Sequence, residues 1–147
     1  MKKFVFKLEA LLKIRKRQED QAQTELTKER RILQQEKIKL FDLQDLRVNA
    51  QAEFEEQKSK YKIYIQDLLI WNEYLSQIDK RIEQQTALIK NQEDIVKKAL
   101  KILEEAIKKR KVVEMLKEKR LQQYNLELIA QEQIVLDELS LSIFTRA

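Results

Sequence analysis

No glycine and no proline occurs anywhere in the 147 residues of this chain, so the two residues that most often punctuate a backbone are missing. A compact globular domain of this length needs several loops, and loops recruit Gly, Pro, Asn and Asp. One elongated helical unit is the reading that remains. Charged residues make up 37%, which alone would permit disorder. The 43% that are hydrophobic recur at regular spacing, and that argues for a packed structure instead.

Stepping by sevens from Val5 gives Leu12, Glu19, Leu26, Leu33, Leu40, Arg47, Phe54, Tyr61, Leu68, Leu75, Ile82, Ile89, Val96 and Leu103; Glu19 and Arg47 alone break the apolar row. Such a row is the seam of a left-handed coiled coil. The row offset by three, from Leu8 to Val113, is poorer, because Arg15, Glu29, Glu36, Gln57, Gln85 and Gln92 interrupt it. Beyond Val113 the stripe moves to Leu116, Leu121, Tyr124, Leu128, Val135 and Leu139, with Ile129, Leu136 and Ile143 beside it. A shift of face like this marks a change of supercoil or the end of a partner.

One straight helix of this length would extend about 220 Å and could pair only as a rod with another chain. The alternative is an antiparallel hairpin whose arms bury each other's seams. We expect an all-α fold, a long antiparallel two-helix coiled-coil hairpin forming a single domain over 1–147. Its helices should cover about 3–57 and about 62–142, with a turn near 58–61 and Ser59 capping the second helix. Asn72 is the rival turn. In the early-turn hairpin the last part of the second helix outlasts its partner, leaving Leu128, Ile129, Val135, Leu136, Leu139 and Ile143 as a candidate docking stripe.

The net charge is +5, unevenly spread. Seven cations stand against Glu9 in the first seventeen residues, and seven against Glu114 and Glu118 in 108–120. Side by side, these segments would form a basic collar suited to an acidic partner, or else plain solvated helix faces. Aromatics gather at Tyr61, Tyr64, Trp71 and Tyr74 among Ile63, Ile65, Leu68, Leu69 and Ile70, opposite Leu40, Phe41, Leu43 and Leu46. They suit a second binding patch or a wider core near the turn. Without histidine or cysteine there is no imidazole for acid–base work and no thiolate for metal. The carboxylate pairs Glu55–Glu56, Glu104–Glu105 and Asp137–Glu138 point about 100° apart on a helix, so no enzyme, metal or cofactor is expected. The longest uncharged stretch, Leu139 to Thr145, falls short of the ~18 residues of a membrane span. Charges interrupt the opening residues, so no signal peptide is expected. A reducing cytoplasm fits.

The segment Phe4-Val-Phe-Lys-Leu-Glu-Ala-Leu-Leu-Lys-Ile-Arg-Lys-Arg-Gln-Glu-Asp-Gln-Ala22 resembles the opening of the flagellar export protein family FliJ. Glu105-Ala-Ile-Lys-Lys-Arg-Lys-Val-Val-Glu-Met-Leu-Lys-Glu-Lys-Arg120, Tyr124 and Glu132-Gln-Ile-Val-Leu-Asp-Glu138 resemble that family's closing helix. Injectisome stalk proteins share the architecture with less likeness. The resemblance implies a stalk that inserts into the hexameric export ATPase of the FliI type and contacts the cytoplasmic domain of the export gate protein FlhA. It also implies links to export chaperones and to the ATPase regulator FliH, and a place at the flagellar basal body, on the cytoplasmic side of the inner membrane.

Carried over by position, the resemblance gives an ATPase-binding base of Lys13, Arg15, Arg17, Lys109, Arg110, Lys117, Arg120, Leu128 and Asp137. It gives an export-gate patch of Leu40, Leu43, Leu46, Tyr74, Ile78, Ile82 and Gln85. Two readings of other classes stand beside it. One is an RNA-binding helical arm, although the collar lacks stacking aromatics and a reading helix. The other is a structural coiled-coil dimer or spacer.

Overall fold

A computed structural model describes residues 3–60 and 62–146; Tyr61, expected in the seam and at the turn, lies outside them. Two helices account for nearly everything described, α1 over Glu9–Lys60 and α2 over Ile65–Arg146. No strand occurs among the described residues, and the fold is an all-α helical hairpin. The charges at the helix ends suit the helix dipole. Glu9 and Asp67 sit in the first turns, and Lys58, Lys60 and Arg146 in the last.

Ser59 does not cap α2. Its hydroxyl donates to the Glu56 carbonyl at 2.8 Å inside the last turn of α1, the back-bonding open to serine within a helix. Residues 62–64 are the non-helical link. The Tyr64 carbonyl accepts from the amides of Asp67 at 3.0 Å and Leu68 at 3.2 Å, so the backbone bonds of α2 begin there. Asn72 lies well inside α2.

Helix was expected from about residue 3, yet residues 3–6 are non-helical. The run Phe4-Val5-Phe6 is β-branched and aromatic, a poor helix start, and Phe6 gains burial by folding inward to 6% exposure. Its carbonyl accepts from the Glu9 amide at 3.1 Å as α1 begins.

The chain divides into two compact units. One is Ala22–Leu103, and in it partner numbers on α2 fall as those on α1 rise. Glu29 bonds Gln92, Glu36 bonds Gln85 and Arg47 bonds Asp79, so the helices are antiparallel. Leu26, Phe54, Leu75 and Ile89 from the richer heptad row are buried, as are Ala22, Ala50, Ile78 and Ala99 from the poorer one. Near the link, Ala50, Phe54, Leu75 and Ile78 form a core with Leu68, Trp71 and Ile82 packed on it. The rings of Phe54 and Trp71 stack at 5.4 Å, and Lys58 Nζ lies 4.1 Å from the Phe54 centroid. Truncating a buried Phe of this kind removes about 3–5 kcal/mol.

Four of the polar residues that spoil the poorer row pair with one another. Gln85 Nε2 donates to the Glu36 carbonyl at 2.9 Å and to its carboxylate at 2.5 Å. One heptad away Gln92 Nε2 repeats this with Glu29, at 3.1 and 2.5 Å. Each amide is satisfied where it is buried, which removes most of the cost of its position.

The other unit comprises the residues up to Gln21 and those from Glu104 onward. Phe6, Leu12 and Val113 form its core, with Phe4, Leu8, Leu11 and Leu116 packed on it. Phe4 meets Tyr124 with centroids 5.6 Å apart. Past Leu128, which is half-buried, every described residue of α2 is exposed.

Candidate docking surfaces

The basic base falls within the unit that joins the two chain ends, but its cations divide into two kinds. Continuing the sevens row beyond Leu103 reaches Arg110 and Lys117, so both sit on the seam rather than on an outer face. Arg110 donates to Glu19 across the hairpin, and to Glu114 at 2.6 Å. The Glu114 bond holds the guanidinium above its ordinary pKa, partly opposed by burial. Lys117 Nζ pairs with Glu9 at 2.9 Å and thereby lowers the Glu9 pKa. Arg15 is half-buried and donates to Gln18 Oε1 at 3.1 Å.

Lys13, Arg17, Lys109 and Arg120 are exposed. The Arg120 guanidinium lies 5.8 Å from the Phe6 ring centroid, a cation–π distance. Asp137 is exposed and accepts from Gln133 Nε2 at 3.1 Å. Leu128 lines a shallow apolar groove with Gln131, Glu132, Val135 and Leu136. From there on, Ile134, Leu139, Leu141, Ile143 and Phe144 are each more than half exposed.

The second patch lies in Ala22–Leu103. Leu46 and Tyr74 are exposed, and Leu40, Leu43 and Ile82 are half-buried. Ile78 at 2% and Gln85 at 8% exposure are seam residues, so their side chains pack inside the hairpin and face no partner. Of the aromatic cluster, Trp71 is half-buried against Phe54, with Tyr74 edge-on to it at 6.1 Å, and Tyr64 is exposed. Val48, Leu88, Ile95 and Ile102 are exposed as well and were not singled out from sequence. The seven-residue spacing of Leu88, Ile95 and Ile102 was the available signal. Among the described residues no group of three His, Cys, Asp or Glu side chains could hold a metal ion.

A family model described as "Flagellar FliJ protein" matches residues 3–147. The chain belongs to the FliJ family. This agrees with the resemblance read at both ends of the sequence, and as a FliJ-family protein the chain is a component of the type III export apparatus. No curated protein matches it. A solved structure described as a YscO homolog from Chlamydia trachomatis is similar over 97% of this chain and 96% of its own, at 23% identity and a TM-score of 0.48. No helix among the described residues of this FliJ-family chain is long and apolar enough to cross a membrane.

Proposed function

We propose that this FliJ-family chain is a non-enzymatic stalk that sits in a hexameric export ATPase of the FliI type and couples it to the gate protein FlhA. One observation carries the reading: from residue 129 to 146 α2 continues as helix with every side chain exposed, although Ile134, Val135, Leu136, Leu139, Ile143 and Phe144 are apolar. An exposed apolar stripe this long needs a cover, and a ring with an apolar bore would supply one. Lys13, Arg17, Lys109 and Arg120 would meet acidic groups at the rim of the ring. Arg15, Arg110 and Lys117 would support the base from within the seam, and Leu128 and Asp137 would enter with the stripe.

Leu46 and Tyr74, flanked by Leu40, Leu43 and Ile82, would face the gate, with Ile78 and Gln85 holding that surface in shape from beneath. Contact with export chaperones and with the regulator FliH, and a cytoplasmic position at the basal body, belong to the same proposal. Differential contact with ring subunits in different nucleotide states is the means by which such a stalk changes turnover.

The test is the hydrolysis rate of the cognate ATPase with and without the protein. Saturating stalk should raise the rate, and Lys13, Arg17, Lys109 and Arg120 reversed together to Glu should remove the effect while helicity is kept. A rate that does not respond to saturating stalk would sink the proposal.

A further inference from the structure

In the unit that joins the chain ends, α2 is apolar on its outer face as well as along the seam. Val112, Met115, Leu126, Ile134, Leu141 and Phe144 are between 57% and 81% exposed. Lys119, Gln122, Ala130 and Asp137, also exposed, fill the steps between them. Steps of three and four residues keep all of these on one side of a helix. Met115 and Lys119 each stand two residues beyond a seam residue, Val113 and Lys117, which is about 200° round the helix. The face therefore looks away from α1.

This face is its own complement. Laid antiparallel on a second copy, about a two-fold axis at the level of Leu128, Val112 meets Phe144, Met115 meets Leu141 and Leu126 meets Ala130. Lys119 meets Asp137 between the apolar levels, and on one flank Arg120 comes level with Glu138 and Glu127 with Gln131. Gln122 beside Ile134 is the one mixed level. Each contact is made twice, as an isologous interface requires. Sliding the copies by one heptad sets Asp137 against Val112 in one direction and Lys119 against Phe144 in the other, so charge fixes the register.

The charges that meet in this way have no counterpart on their own helix. No carboxylate stands three or four residues from Lys119 or Arg120, and no cation three or four residues from Asp137 or Glu138, the spacings at which helical side chains pair. Between Arg120 and Arg146 the charged residues are Glu127, Glu132, Asp137 and Glu138. Parallel copies would set carboxylate against carboxylate, whereas antiparallel copies set an acidic end on a basic one. We propose that the outer face of α2 pairs two copies of the chain into an antiparallel dimer, with the Lys119–Asp137 ion pair made twice. Ile134 and Phe144 are covered by the second copy in that dimer, so it is a form of the chain that stands apart from the ring.

Sedimentation equilibrium of the full chain up to about 0.1 mM should give twice the monomer mass. Lys119→Glu alone and Asp137→Lys alone should each weaken the dimer about tenfold, and the two together should restore it. The chain has no cysteine, which permits a test of direction. Met115→Cys with Leu141→Cys should cross-link into a dimer on mild oxidation, because the two positions are about 39 Å apart along one helix and cannot bridge within it. Met115→Cys alone should not. The substituted side chains are exposed, so helicity in dilute solution should match the parent. Monomer mass throughout that range, a double charge swap as weak as either single, or cross-linking of M115C alone as strong as that of the pair would each overturn the proposal.

Discussion

Glu9 and Glu36 are both held in their charged form by a cross-hairpin partner. The hydrogen bond from Lys117 lowers the pKa of Glu9, and the bond from Gln85 lowers that of Glu36, in each case from an ordinary value of 4.5 and partly against burial. A carboxylate whose folded pKa is depressed adds stability above its unfolded pKa and loses it as pH falls through the folded one. Thermal melting should therefore be flat from neutrality down to about pH 5 and decline below it. Glu36→Gln, which keeps an acceptor for Gln85 but cannot titrate, should show a shallower acid decline than the parent. An identical acid slope would remove Glu36 from the account. Arg110 shows the same physics from the cationic side. In sequence it stands in a basic run beside Lys108, Lys109 and Lys111, and only the seam position exposes its pairing with Glu19.

At the scale of the helices, the polar layers trade stability for register. Replacing Gln85 alone by Leu removes the cross-hairpin donor and leaves Lys39 as the remaining side-chain partner of the Glu36 carboxylate, so it should lower the melting temperature, whereas Glu36→Leu with Gln85→Leu should be near neutral or stabilising. Thermal melting of the two variants checks this, and a double variant less stable than the single would reverse it. Much of this architecture was legible in the sequence. The row from Leu12 to Leu103 already named the seam, because heptad spacing survives any local detail. The poorer row was legible as a position but not as chemistry, since Glu29, Glu36, Gln85 and Gln92 look like flaws until the antiparallel level brings each Glu to a Gln. The start of α1 was misplaced because helix propensity was carried back through Phe4-Val5-Phe6, where burial of Phe6 outweighs one more turn of helix. The candidate site was legible in outline only. Periodicity ranks Ile78 and Gln85 with their neighbours, and exposure alone separates the seam from the surface.

For the molecule as a whole, the exposed end of α2 should be dispensable for folding and indispensable for coupling. Ending the chain after Leu128 removes residues that are exposed throughout 129–146, so melting temperature should hardly move while the effect on ATPase rate is lost; full stimulation by the truncated protein would place the ring contact elsewhere. The paired polar layers also bear on how the chain finds itself. They are identical and one heptad apart, so a hairpin slipped by seven residues still satisfies one Glu with one Gln. In one direction Glu36 meets Gln92, and in the other Glu29 meets Gln85. The layers therefore act as a scale with two matching marks, which measures phase but cannot count turns. The stack of Phe54 on Trp71 next to the link has no such double, so closure beginning there would count the turns once, and the layers would only have to keep the count.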